Sequence, residues 1–478
     1  MAINSVHPKF SKFRDLYWVK CLDIYAGEEV VKAKGVIYLP PTPGHVADGM
    51  NAVTSQGYIN YLSYKERAPV PDYYKEAVET YAGMMHEKPA TIELPDSMKY
   101  LLESATPSGE SLQALLRRIN EKQLVSGRLG LFCDLPESPQ ATPNFYISVY
   151  DELSIINWDS SNDNINKDQL NLVVLDETCD VRDEELNWVS KERYRRIELV
   201  DGQCLVTMYS DKTAESEPTA IVVRNQPLDF IPFTFINSKD CLPDPDFPPL
   251  MGLARLCYTI YKSEADYRHT LFLQGQDTLV VIGGARDDES VRVGAGARID
   301  VDINGDAKYI GVSSTGLPEQ RTAVVNDHSR AAQMAGKLSN SNKSSQESGE
   351  ALKTRIAAQT ATLNNIAKTG ALGLELALRN IAKALGEDPA NVVVKPNLEF
   401  AALNLQGDDL VKLMTAKSQG APLSLQSIHS LCQDRGLTTM EFEKELEVIK
   451  TEPKLAVEPV AGSTLKSAGV DSQTKTGA

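Results

Sequence analysis

The longest unbroken helical patterns in the chain lie between Pro248 and Leu385, and they restrict the fold more than any other stretch. One segment, Leu250 to Gln274, places Leu250, Leu253, Leu256/Cys257, Ile260, Tyr267 and Leu271 at helical spacing, with Arg255, Lys262, Glu264, Asp266 and Arg268 between them. A second segment starts at Pro318, where proline near the first position and Glu319 in the first turn are both favoured, and fades at Leu338. A third, Ala351 to Leu385, carries Leu352, Ile356, Leu363, Ile366, Leu374, Leu378, Ile381 and Leu385. At about 1.5 Å per residue it spans roughly 50 Å, far beyond a mean globular helix of about 11–12 residues. Helices of this length build an assembly or cross a whole domain. Gly370 and Gly373 sit inside the third pattern, where glycine costs up to about 1 kcal/mol against alanine. A bend or a close helix contact is expected there.

Two inserts separate these helices. The first is β-like: Thr278 to Ile282, a charged turn at Arg286-Asp-Asp-Glu289, then Val291/Val293, Ile299/Val301/Ile303 and an Asn304-Gly305 hairpin signal, closing near Ile310. The second, Ser339 to Gly349 (SNSNKSSQESG), has almost no apolar side chain to bury and is expected to be solvated.

The first half of the chain mixes helices and strands. Helix is expected over Phe13–Tyr25, over the Tyr58/Tyr61/Tyr64 face that would lie on a core, and over Tyr73–Met85, ending near Lys88-Pro89. The prolines of Leu39–Gly44 are expected to prevent a helix there. Thr91–Leu94 reads as a short strand, Ser97–Val125 as helix with capping residues at Ser108–Ser111, and Gly127–Cys133 as a buried strand. Strands follow at Phe145–Tyr150, Leu172–Leu175, Tyr194–Leu199, Cys204–Tyr209 and Ile221–Val223, with an Asp201-Gly202 hairpin signal. Helices first and strands after indicate an α+β domain. Val392–Lys395 reads as a returning strand. Gly407–Lys450 reads as a separate helical piece (Asp408–Ala416, Leu425–Asp434, Met440–Ile449), and residues 451–478 as disordered.

Composition narrows the chemistry. A net charge of −16 argues against a protein that grips nucleic acid generally, and does not exclude one that lets DNA slide past without gripping it. No apolar run reaches the roughly 20 residues of a membrane span, and MAINSVHPKFSKFRD has no apolar signal core, so a soluble, non-secreted chain is expected. Seven scattered cysteines without a CxxC pair fit free thiols in a reducing compartment, and six dispersed histidines show no ligand spacing. No metal and no cofactor are expected. Gly294–Arg298 lacks the Lys-Ser/Thr of a phosphate loop and reads as a turn. The acidic run Asp176, Glu177, Asp180, Asp183, Glu184 and Glu185 suits a charged hairpin, with a metal-dependent nuclease as the catalytic alternative. Nothing else makes a case for an enzyme.

The order of these pieces resembles that of tailed-bacteriophage portal proteins. Tyr61-Leu-Ser-Tyr-Lys-Glu-Arg-Ala68 with Gly83-Met-Met-His-Glu-Lys-Pro89, then Gly127-Arg-Leu-Gly-Leu-Phe-Cys-Asp-Leu-Pro136, is similar to the opening of one portal group. Pro248-Pro-Leu250, Leu253, Tyr261, Ala265-Asp-Tyr267 and Gln274-Gly275 resemble its first stem helix, and Glu347-Ser-Gly-Glu-Ala-Leu352 the start of its long helix. The resemblance runs from about Tyr58 to Gly386. It implies a portal-like α+β wing (1–247), a helical stem (248–276 and 318–338) with an inserted β-containing clip (277–317), and a tunnel loop (339–350). A long wing helix with its returning strand (351–404), an all-helical crown (405–450) and a disordered tail (451–478) complete it. It further implies a homo-oligomeric ring, typically a dodecamer, at a capsid vertex in the virion, assembled in the host cytoplasm, with double-stranded DNA passing through and no membrane. By position, Lys337, Ser339, Asn340, Asn342, Lys343, Ser344, Ser345, Gln346 and Lys353 would face the DNA channel, where the lysines either touch DNA weakly or are merely solvated. Arg286, Asp287, Asp288, Glu289 and Arg292 would lie in the clip that docks the terminase large subunit and a head-completion or adaptor protein. Major capsid and scaffolding proteins would be further partners. The rival readings are a non-viral structural or adaptor oligomer with a helical hairpin, and the nuclease.

Overall fold

The computed structural model describes residues 3–136, 144–159, 170–215, 217–274, 278–282, 304–310, 316–336, 349–398, 414–415, 417–419, 424–434, 438 and 440–451. The chain divides into two units, 1–400 and 401–478.

The first unit begins with α1 (Pro8–Phe13), one π-helical stretch (Arg14–Trp18) and α2 (Val19–Ala26), which run on without a break around a fully buried Trp18. α3 (Glu28–Ala33) follows, then α4 (Pro43–Ala47), which corrects the expectation that the proline loop excludes helix. Pro43 takes the first helical position, where its missing N–H would have no partner anyway. α5 (Gln56–Arg67) buries Tyr61 and Tyr64, and α6 (Tyr73–Met85) has the predicted bounds. β1 (Thr91–Glu93) comes next. The helix expected over Ser97–Val125 is instead a 3₁₀ segment (Asp96–Leu102) and a separate α7 (Leu112–Val125). Gly109 at φ +80° lies in the break, and Ser111 Oγ accepts the Ala114 N–H at 3.3 Å to start α7.

β2 (Arg128–Asp134), β3 (Tyr146–Asp151), β4 (Ile155–Trp158), β5 (Leu172–Asp176), β6 (Cys179–Arg182), β7 (Trp188–Lys191), β8 (Arg193–Val200) and β9 (Gln203–Ser210) then run in order. Four short pieces, β10 (Thr213–Ala214), β11 (Thr219–Ala220), β12 (Val222–Val223) and β13 (Gln226–Pro227), precede β14 (Phe233–Asn237). One antiparallel sheet has the order β14-β2-β3, a second β10-β9-β8-β5-β4 with β11 also on β9, and β6–β7 is a free-standing hairpin. Asp201 and Gly202 both have positive φ between β8 and β9, as a primed two-residue turn demands. The residue pattern by itself predicts no separate strand at β4, β7 or β14; β14 is buried at every position, so it lacks the alternation that marks a strand.

After β14 come α8 (Met251–Gln274), the antiparallel pair β15 (Thr278–Ile282) and β16 (Asp306–Ile310), α9 (Leu317–Met334), α10 (Gly349–Leu385) and β17 (Val393–Lys395), which returns to pair with β1. Two cores result. One is helical and contains Tyr61, Tyr74, Val78, Cys257 and Tyr261; the other lies over the sheets and contains Leu115, Phe132, Ile147 and Phe235. α10 belongs to both: Leu363 and Ile366 sit in the helical core, while Leu374, Leu378 and Ile381 sit in the sheet core. Leu271, expected on the buried face of α8, is exposed. In the second unit, helices Leu425–Asp434 and Phe442–Thr451 are held by His429 Nε2 to Glu445 at 2.8 Å and by an edge contact of His429 with Phe442. Of the expected helix Asp408–Ala416, residues 408–413 and 416 lie outside the described residues, as do 452–478.

Candidate functional site at the root of the long helices

A buried polar chain fixes where α8 leaves the sheets. Arg128 and Asn237 are cross-strand partners of β2 and β14, and both are fully buried. Arg128 Nη1 donates to Asn237 Oδ1 at 3.1 Å. The Asn237 amide Nδ2 shares its two hydrogens among Asp240 Oδ1 (3.0 Å), Leu242 O (2.8 Å) and Asp244 O (2.8 Å), which winds residues 238–246 around it. The Asn237 carbonyl accepts from Gln123 Nε2 at 2.7 Å, Gln123 Oε1 from Asn120 Nδ2 at 2.8 Å, and Asn120 Oδ1 lies 2.9 Å from His86 Nε2. The chain thus runs from the end of α6 through α7 to β14 and β2.

Electrostatics explain why an arginine can sit at its end. The guanidinium lies over Trp158 (4.5 Å) and Phe235 (4.8 Å), and His7 stacks on the same indole at 4.2 Å. Burial pulls the Arg128 pKa down to about 9, against the opposing pull of Asp244, Asp240, Asp246 and Glu152, so it stays charged at neutral pH. Asp244 is also paired to Lys9 at 2.6 Å, and the Lys239 N–H donates to Asp246 at 2.8 Å. Beyond this loop, Gly127 has φ +76°, and a Cβ on it would stand 3.2 Å from Pro248 Cα. The Pro248-Pro249 elbow is thereby seated against β2, which sets the direction of α8.

α8 and α9 form an antiparallel hairpin. Gly252 faces Met334, Glu264 Oε1 meets His328 Nε2 at 3.2 Å, and Arg321 lies over the Tyr267 ring. The buried Glu264 also accepts from Arg268 Nε at 2.6 Å, and His328 Nδ1 lies 3.1 Å from the Tyr73 hydroxyl of α6. The Tyr81 hydroxyl donates to the Met334 carbonyl at 2.6 Å, one of the carbonyls that a helix end leaves without an internal partner. Tyr81→Phe is expected to lower stability by about 1 kcal/mol in urea unfolding, with no change in the helical content of the folded chain. On α10, a Cβ at Gly370 would lie 2.4 Å from Asn120 Nδ2 and 2.6 Å from Gln123 Oε1, and one at Gly373 would lie 2.4 Å from Ile236 Cγ1. Gly370 therefore marks a close helix contact, with α7, and touches the polar chain itself, whereas Gly373 approaches the strand β14.

The residues singled out from sequence fall elsewhere. Arg286, Asp287, Asp288, Glu289 and Arg292, together with Lys337, Ser339, Asn340, Asn342, Lys343, Ser344, Ser345 and Gln346, lie outside the described residues; Lys353 falls on α10. The acidic run is split. Glu177 is bound to Arg195 Nε (2.8 Å), which also holds Asp134 (2.6 Å), while Asp180, Asp183, Glu184 and Glu185 are exposed along the β6–β7 hairpin. Asp183 Oδ1 accepts the Asn187 N–H at 2.7 Å and so forms that turn. Among the described residues no three His, Cys, Asp or Glu side chains are grouped to hold a metal, and no helix is long and apolar enough to cross a membrane. Sequence reasoning passed over Arg128, Asn237, Asn120 and Gln123 as a set; the one signal was an arginine inside an apolar strand.

The model of a family described as a domain of unknown function, DUF4055, matches residues 249–383, which span α8 to nearly the end of α10. No curated protein matches the sequence. Among solved structures, the chain is similar to one titled "Neck of native GTA particle computed with C12 symmetry", at 14% identity and a TM-score of 0.40, over 84% of this chain and 98% of that one. It is also similar to one titled "Virion of native gene transfer agent (GTA) particle", at 13% identity and a TM-score of 0.40, over 81% and 98%. A third, "Neck of empty GTA particle computed with C6 symmetry", matches at 13% identity and a TM-score of 0.41, over the same shares.

Proposed function

We propose that this chain is a portal protein, the subunit of a ring at a capsid vertex through which viral DNA is packaged and ejected. The observation that carries the reading is the α8–α9 hairpin. α9 is 18 residues long and buries only Val324 and Ala331 within the chain, leaving Val325 and Met334 exposed. A helix anchored so firmly at its root yet covered on one narrow face is suited to being enclosed by neighbouring copies, as closed symmetry would provide. The sequence resemblance supplies the rest of the reading: residues 277–317 dock the terminase and a head-completion protein, and Ser339–Gly349 faces DNA. The role is structural and not catalytic, and the acidic chain suits a conduit because each phosphate it neutralised would add salt-dependent grip.

Electron microscopy of the purified chain tests this. A closed ring with a central hole is the expected result, and monomers or open chains at all concentrations would overturn it. Lys343→Glu is expected to leave ring assembly intact and reduce DNA packaged per particle; unchanged packaging would mean that Lys343 is merely solvated. Incubation with DNA and Mg²⁺ is expected to give no cleavage, and cleavage lost on replacing Glu177 would restore the nuclease reading.

A further inference from the structure

We propose that His45 is an acid-sensitive latch that holds the α4–α5 corner against α8 and releases it when protonated. The geometry begins with the capping box of α4. Thr42 Oγ1 accepts the His45 N–H at 3.4 Å, and His45 Nδ1 accepts the Thr42 N–H at 3.2 Å. That second bond needs a bare ring nitrogen. A proton on Nδ1 would set one donor against another and open the box.

The ring is buried at 4% exposure and lies among aromatic groups from two other helices. Tyr61 and Tyr64 of α5 stand 6.1 and 5.4 Å from it, and His269 of α8 stands 5.9 Å away, itself 5.4 Å from Tyr64. His269 Nδ1 is buried without a hydrogen-bond partner among the described residues. The charged groups facing this cluster come from each element: Asp48 after α4, Arg67 at the end of α5, and Asp266 on α8, which accepts from the Tyr64 hydroxyl at 2.6 Å. Asp48 favours a proton on His45 and Asp266 one on His269, while Arg67 opposes the latter. Burial is the largest influence on both rings, and it lowers both pKa values; a charge on His45 lowers that of His269 further.

The corner cannot shift by itself. A Cβ at Gly57, in the first turn of α5, would lie 2.0 Å from the His45 carbonyl oxygen and 2.4 Å from that of Gly49. Loss of the box therefore loosens the start of α5 and uncovers Tyr61 and Tyr64 where they meet α8. A histidine held below its ordinary value of about 6.5 contributes fully above that pH, and its contribution fades as pH falls through the lowered folded-state value.

Amide hydrogen exchange on the full chain between pH 7.5 and 5, corrected for intrinsic rates, reads the latch. For one linked proton, the opening constant of amides in 43–67 is expected to rise as pH falls below roughly 6.5, by up to about tenfold per pH unit and levelling off below the lowered folded-state value, while α7 and the second half of α10 stay unchanged. His45→Gln, which has no site to protonate, is expected to abolish that slope. An unchanged corner in the native chain, or a full slope in His45→Gln, overturns the proposal. If His45→Gln opens the corner even at pH 7.5, histidine NMR titration of the native chain decides: His45 titrating below the ordinary value supports the latch, and at or above it rejects it.

Discussion

Replacing Gly373 with leucine is expected to destabilise the chain by about 3 kcal/mol. A Cβ at this position would lie 2.4 Å from Ile236 Cγ1 and 2.5 Å from its Cδ1, far inside van der Waals contact. Ile236 is fully buried in β14, between the α10 face and the rest of the sheet core. α10 is held against sliding away, because Leu363 and Ile366 sit in the helical core while Leu374, Leu378 and Ile381 sit in the sheet core. Leucine does gain up to about 1 kcal/mol of helix propensity over glycine, so the clash must exceed that gain. Gly83 supplies the contrast: it lies inside α6 with nothing within 4 Å of its would-be Cβ. Gly83→Ala is therefore expected to stabilise by up to about 1 kcal/mol. Urea unfolding of the two variants should move in opposite directions; a Gly373→Leu chain as stable as the native one, or more so, would mean that Gly373 is not kept small by Ile236.

Arg128→Ala is expected to cost about 3–5 kcal/mol. The substitution leaves Asn237 Oδ1 without its Arg128 donor, opens a cavity against Trp158 and Phe235, and removes a buried cation that Asp240, Asp244, Asp246 and Glu152 all favour. Lysine should recover little, since an ammonium cannot lie flat over two rings and donate sideways to an amide. Methionine should do better than alanine, because its chain refills the space over the indole without an unpaired charge. The same unfolding measurement ranks the three, and a loss below about 1 kcal/mol for alanine would contradict the buried charge–amide account. Because residues 238–246 wind around Asn237, the alanine variant is also expected to speed amide exchange there and at the start of α8.

What the sequence made legible depended on how local the cause was. The bounds of α6, α8 and α10 follow from apolar spacing and from proline or glycine at their ends, and the β8–β9 turn follows from Asp201-Gly202, whose positive φ values only a few residue types accept readily. The break before α7 was less clear: Ser111 announced the cap and Pro107 and Gly109 precede it, yet Asp96–Leu102, rich in helix formers, forms only a 3₁₀ segment. β14 was missed because it is buried on both faces, Thr234 and Asn237 included, so its polar residues do not mark a solvent side. α4 was missed because a proline forbids a helix interior yet welcomes a helix start.

Alone, the sequence determined most of the element types, the α+β order, the long helices and the two glycines where a bend or a close helix contact was expected. It could not say what they approach. That Gly370 meets Asn120 and Gln123, that Asn237 gathers three acceptors, and that His45 faces His269 across more than two hundred residues were decided only by the tertiary structure. The reason is physical: helix and turn preferences act between residues a few positions apart, whereas a buried amide or guanidinium is tolerable only where distant chain segments bring it partners.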